Sequence, residues 1–140
     1  GYTAQQVLDY AQALYEKKLL TYPRTDSNYL TEDMADRVPA LAELSAKLLP
    51  FSPPFVLADV GRVIDSSKVS DHHALLPTMQ VNAEAWAALP AGERNMLTLV
   101  MVRLLCAVGE IHQYEDTAVR LERSDAVFTE SGRTIRIPGW

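Results

Sequence analysis

The hydrophobic period of this chain changes once, and that change divides what it can fold into. Ala4, Leu8, Ala11 and Tyr15 recur at helical spacing, and so do Leu97, Val100, Met101, Leu104 and Leu105 after Pro90 and Gly92. From Thr117 the spacing becomes alternate: Thr117, Val119 and Leu121 sit between polar neighbours, as in a half-buried strand. Val127-Phe128, a turn at Glu130-Ser131-Gly132-Arg133, and Ile135 with Ile137 then suggest a hairpin. A helical pattern does not sit still as a strand, so the chain reads as a mainly α body with a β tail. Two strands cannot bury an apolar face alone, and the tail is expected to belong to a neighbouring domain. The expected division is 1–112, helical, and 113–140, the truncated start of a β-rich neighbour.

Local signals subdivide the body. Thr3 and Gln6 have capping-box form, predicting a helix over about 4–18 with Lys17 and Lys18 favourable at its C-terminus. Leu19 to Tyr22 reads as an extended exit, because Pro23 biases Tyr22 away from helical angles. Thr31 caps a short helix, and Pro39 starts another that runs to about Leu49. Pro50, Pro53 and Pro54 predict a rigid loop, and Gly61 to Val69 an irregular one. Asn82 caps a helix reaching Leu89, and the most apolar helix spans about 93–108. Trp86, Leu97, Val100, Met101, Leu104 and Leu105 are expected in the core, with Cys106 a buried free thiol.

Composition excludes several classes of protein. No apolar run approaches the roughly 18 residues of a membrane span. The opening residues do not read as a signal peptide. The single cysteine, Cys106, allows no internal disulfide and no cysteine metal cluster. His72, His73 and His112 lack metal-site spacing, so no metal site is expected. A reducing, cytoplasmic setting follows. The net charge of −5 argues against a free-standing nucleic-acid binder. The larger part of its excess falls on residues 31–60, whereas in 1–30 Lys17, Lys18 and Arg24 balance Asp9, Glu16 and Asp26.

Two stretches carry groups with chemistry. In Leu19-Leu20-Thr21-Tyr22-Pro23-Arg24-Thr25-Asp26-Ser27 a phenol, a guanidinium and a carboxylate fall at alternate positions. If the segment is extended they share one side, with Asp26 able to orient Arg24. A phenol of pKa about 10 is a poor nucleophile unless positive charge favours its anion and neutralises the phosphate it attacks. In Ser70-Asp71-His72-His73-Ala74-Leu75-Leu76-Pro77-Thr78 two histidines sit side by side, and one of them can serve a given site. A buried tyrosine, a surface Arg–Asp pair and a solvated loop would leave the same residues without a function.

Together, GYTAQQVLDYAQALYEKKLLTYPRTDSNYL and the later SKVSDHHALLPT resemble the central domain of type IA DNA topoisomerases, on the topoisomerase III branch. The terminal Gly139-Trp140 is similar to a pair found where the chain returns through the gate domain. The resemblance implies a CAP- or winged-helix-like helical domain, with the hairpin opening the gate domain. Tyr22 would attack a phosphodiester and become joined to the 5′ phosphate of one broken strand, which is later resealed after strand passage without ATP. Arg24 would hold the scissile phosphate, and His72 would contact it. Gln12, Glu16, Asp26, Ser27 and His73 would support the site; Gln12 and Glu16 are i, i+4 neighbours. The family's magnesium-binding carboxylates and catalytic lysine have no counterpart here. The chain is therefore expected to be an excised, inactive piece of a magnesium-dependent enzyme. Its partners would be DNA, preferentially single-stranded, the metal-binding and gate domains of its own polypeptide, and a helicase; the setting would be the nucleoid. The alternative is a non-catalytic winged-helix-like module that binds DNA or protein. Such a module has no need of Tyr22, Arg24 and His72 together, and convergence of the three on one pocket separates the two readings.

Overall fold

The computed structural model describes residues 1–49 and 55–139; the expected rigid loop at Pro50, Pro53 and Pro54, and Trp140, lie outside them. The chain divides into two compact units, Gly1–Gly109 and a second from Glu110 onward. The first holds four α-helices among the described residues: α1 (Ala4–Glu16), α2 (Val38–Leu48), α3 (Ala83–Ala88) and α4 (Ala91–Val108). The second is an antiparallel hairpin of β1 (Gln113–Arg123) and β2 (Ala126–Ile137).

Local chemistry starts these helices. Thr3 accepts from the Gln6 amide while Gln6 accepts from the Thr3 amide, completing the capping box of α1. Asn82 accepts from the Ala85 amide at 2.9 Å and starts α3. Pro39 stands in the first turn of α2. Thr31, by contrast, makes no side-chain cap, and the segment after it, Glu32–Arg37, is a 3₁₀ helix and not an α-helix.

α1 ends at Glu16, earlier than its spacing suggests. Lys18 adopts φ 62°, in the left-handed region. The Leu19 amide then bonds the Leu14 carbonyl and the Lys18 amide the Tyr15 carbonyl, which is the Schellman arrangement with lysine in the usual glycine position. Leu14 and Leu19 are both buried beneath this turn, the apolar contact that accompanies the motif.

α4 is the central element and packs against α1 and α2. Leu97, Val100, Met101, Leu104, Leu105 and Val108 form its buried face, meeting Leu14, Val38 and Leu41. Each such side chain contributes about 1.5–3 kcal/mol by leaving water. Trp86 is half-buried, packing against this core while its indole donates to the Thr98 hydroxyl at 3.2 Å. Cys106 is half-buried too. Its place on the edge of α4's apolar stripe, not within it, explains the difference from expectation.

The hairpin departs from its sequence reading in two ways. The turn is Ser124-Asp125, with Ser124 at φ 55°, and Gly132 pairs with Thr117 in mid-strand. A two-residue turn with positive φ matches the twist of its strands, and this outweighs the glycine at 132. Every residue of β1 is exposed, so the alternation marks the two faces of an open ribbon and no half-buried strand.

Candidate nucleophile site

The site stands where two loops are stapled together. Past the Lys18 turn, Leu20 forms an antiparallel bridge with Pro77. The Thr21 amide donates to the Leu76 carbonyl at 3.0 Å, the Leu76 amide to the Thr21 hydroxyl at 2.9 Å, and the Thr78 amide to the Leu19 carbonyl at 3.0 Å. Further along, the Ala74 amide donates to the Tyr29 carbonyl and the Thr25 hydroxyl to the His72 carbonyl, at 2.9 and 2.8 Å. The Tyr22 loop and the histidine loop therefore form one rigid piece.

Tyr22 is half-buried between two aromatic rings. The His72 ring lies 4.4 Å from it, tilted by 46°, and the Tyr15 ring meets it edge-on at 5.4 Å and 78°. Such contacts hold an aromatic side chain in one orientation without using its hydroxyl. Arg24 and His72, both exposed, line one cavity of about 440 Å³ with Thr25, Asp26, Ser70 and Asp71. His72 thus touches Tyr22 on one side and shares a cavity with Arg24 on the other. A guanidinium and an imidazole on one cavity can bind an anionic, phosphate-like ligand; Tyr22 does not line that cavity, and the carboxylates of Asp26 and Asp71 do.

The supporting residues divide. The chain bends at Pro23, so Tyr22, Arg24 and Asp26 do not follow one extended edge. Among the described residues no ion pair joins Arg24 to Asp26, though both line one cavity. Ser27 is structural: its hydroxyl donates to the Lys68 carbonyl at 2.8 Å and accepts from the Tyr29 amide at 3.0 Å. His73 is half-buried, with Nδ1 bound to the Ala74 carbonyl at 2.7 Å, an acceptor that requires the proton on that nitrogen. Gln12 donates to Glu16 at 3.0 Å on α1, and no described hydrogen bond links either to Tyr22, Arg24 or His72.

Tyr15, Thr25 and Asp71 escaped sequence reasoning. Tyr15 lies on the helical stripe of α1 and reads there as core, whereas it is exposed and reaches Tyr22 only because the Lys18 turn folds the chain back. Thr25 and Asp71 gain their roles from contact between loops far apart in sequence. Among the described residues no three His, Cys, Asp or Glu side chains gather so as to hold a metal ion. Among the described residues no helix is long and apolar enough to cross a membrane.

The family model for DNA topoisomerase matches residues 1–140. Curated proteins named DNA topoisomerase 3 are similar to the chain throughout: that of Bacillus licheniformis is 37% identical over 150 aligned positions, that of Bacillus cereus 35% over 147 and that of Bacillus subtilis 34% over 150. Each match covers 100% of this chain and 20% of the relative. The chain therefore spans about a fifth of the length of these relatives.

Proposed function

This chain belongs to the type IA DNA topoisomerases, on the topoisomerase III branch, and from that premise we propose that it carries the nucleophile which breaks one DNA strand. The Tyr22 oxygen attacks the phosphorus, and the bond from phosphorus to the 3′ oxygen breaks. A 5′-phosphotyrosine and a 3′ hydroxyl result. The phenol loses one proton and the departing oxygen gains one. Resealing is the same exchange in reverse, so the bond's energy is kept and no ATP is needed.

The observation that carries this reading is His72, whose ring lies 4.4 Å from that of Tyr22 and which lines one cavity with Arg24. Arg24 would grip two phosphate oxygens with its planar fork, and His72 would donate to another. The described residues do not fit magnesium, for no three carboxylate, imidazole or thiol side chains gather among them. The helical unit is read as the nucleophile-bearing, winged-helix-like domain, and the hairpin as the start of a β-rich gate domain. Leu121 and Phe128, cross-strand partners both 62% exposed, support the second assignment by leaving apolar surface for a neighbour. Single-stranded DNA at the nucleoid would be the substrate.

The test uses a full-length topoisomerase carrying this chain. Tyr22→Phe should abolish the covalent protein–DNA product on a denaturing gel while leaving single-strand affinity within about twofold, because the ring keeps its packing. A covalent product surviving in that variant removes Tyr22 from the mechanism.

A further inference from the structure

A groove of about 580 Å³ lies beside the Tyr22 loop. Its walls come from Pro23, Thr25, Ser27, Asn28, Leu30, Val63, residues 74–76 and one side of α4. Thr25 lines both this groove and the cavity of Arg24 and His72, so the two adjoin across one side chain. No aspartate or glutamate lines the groove, in a chain of net charge −5. Arg103 and Asn28 are exposed on it, and among the described residues neither side chain makes a hydrogen bond or ion pair. Leu99 is 54% exposed beside them, over a floor of buried Val100 and Leu104.

We propose that this groove is a nucleotide subsite, holding the nucleotide next to the phosphodiester that Tyr22 attacks. The assignment rests on the reading of Tyr22 given above. Arg103 takes a backbone phosphate, for which a planar, permanently charged fork is well shaped. Leu99 and Leu75 lie against a base face. Asn28, with both a donor and an acceptor, meets the base edge and can match any base, so the subsite tolerates sequence. A strand lying over Thr25 would pass from one cavity to the other. The groove joins an acid-free lining, an unpaired guanidinium and an apolar floor. A phosphate with a base attached asks for that combination, and a purely apolar protein segment does not.

The test again uses a full-length topoisomerase carrying this chain, with single-stranded oligonucleotides cleaved at one defined position. Binding is measured as a function of salt. Arg103→Gln should weaken binding about tenfold, the size of one charged hydrogen bond. The slope of log affinity against log salt should fall by about 0.7, the share of one phosphate on a single strand. Leu99→Asp, an exposed change, should weaken binding as well. Trimming the oligonucleotide one nucleotide at a time should cost the native protein affinity at one position flanking the break, and cost Arg103→Gln nothing there. Unchanged affinity and slope in both variants, with the Tyr22-dependent covalent product intact, overturn the subsite and leave the nucleophile standing. A lowered melting temperature and altered limited proteolysis in Leu99→Asp, with an unchanged slope, mark the groove as a seat for protein and also overturn it. A covalent product that survives Tyr22→Phe strikes the nucleophile instead, so the two failures are distinct.

Discussion

Two adjacent histidines on one loop are held in unlike ways. His73 commits Nδ1 to the Ala74 carbonyl, whereas the His72 ring is exposed against Tyr22. In a full-length enzyme, His72→Ala should therefore slow oligonucleotide cleavage by roughly a hundred- to a thousandfold, the effect of one preorganised donor facing developing charge. His73→Ala should cost less in rate, and its effect should appear as lost stability instead. Single-turnover cleavage beside thermal melting separates the two; the opposite ranking would shift the catalytic assignment by one position. Lys18 offers a second residue-scale expectation. A left-handed φ costs an L-residue roughly 1–2 kcal/mol, and glycine escapes that cost. Lys18→Gly should raise stability by about 1 kcal/mol, read by denaturant midpoint.

Helices α1 and α4 meet at Gly92, where an added Cβ would lie within a forbidden distance of the Tyr10 ring. That ring is itself met edge-on by Tyr2, at 5.2 Å. Gly92→Ala should cost about 1–3 kcal/mol by overpacking, despite alanine's better helix propensity. Adding Tyr10→Leu should recover much of the loss in a double-mutant cycle. The turn Ser66–Lys68 depends on Asp65, whose carboxyl is held below its ordinary pKa first by the Ser67 hydroxyl and then by Lys68. A depressed folded pKa means stability that is present above the unfolded value and lost as pH falls through the folded one. Asp65→Asn should therefore flatten the decline of stability in acid below about pH 4. At this scale the sequence is most readable where signals are local, as at Thr3 with Gln6, at Asn82, and in the stripe of α4. It misleads where a residue's usual habit loses to geometry. Lys18 sits where glycine is expected, Gly132 pairs in a strand, and Thr31 precedes a turn that its side chain does not cap. Tyr22, Arg24 and His72 can be picked out by type and order, but Tyr15 reaches the site through a turn that its lysine does not signal, and Thr25 through a contact 47 positions away.

As a whole molecule the chain is acidic and gathers no metal-binding cluster among its described residues. These 140 residues alone should leave supercoiled DNA unrelaxed in magnesium, as an agarose gel would record. Hydrogen exchange should find two regimes. Amides of α4 lie over a real core and should be well protected, while those of the exposed hairpin should exchange quickly, because two strands without a covered face are marginal. The staple between the Tyr22 and histidine loops has a further consequence, for how the site is born and how it can change. Thr21 and Leu76 meet across 55 positions of chain. The geometry of the candidate site thus depends on closing a long loop, and it exists only once the helices between have folded. A nascent chain ending before Pro77 would carry the tyrosine with no cradle for it. The entropy of such a closure grows only with the logarithm of length: doubling the loop adds about 0.6 kcal/mol. Insertions between Leu30 and Ile64 that spare the helices should therefore leave the spacing of Tyr22 and His72 intact, giving this stretch freedom to vary while the chemistry stays still.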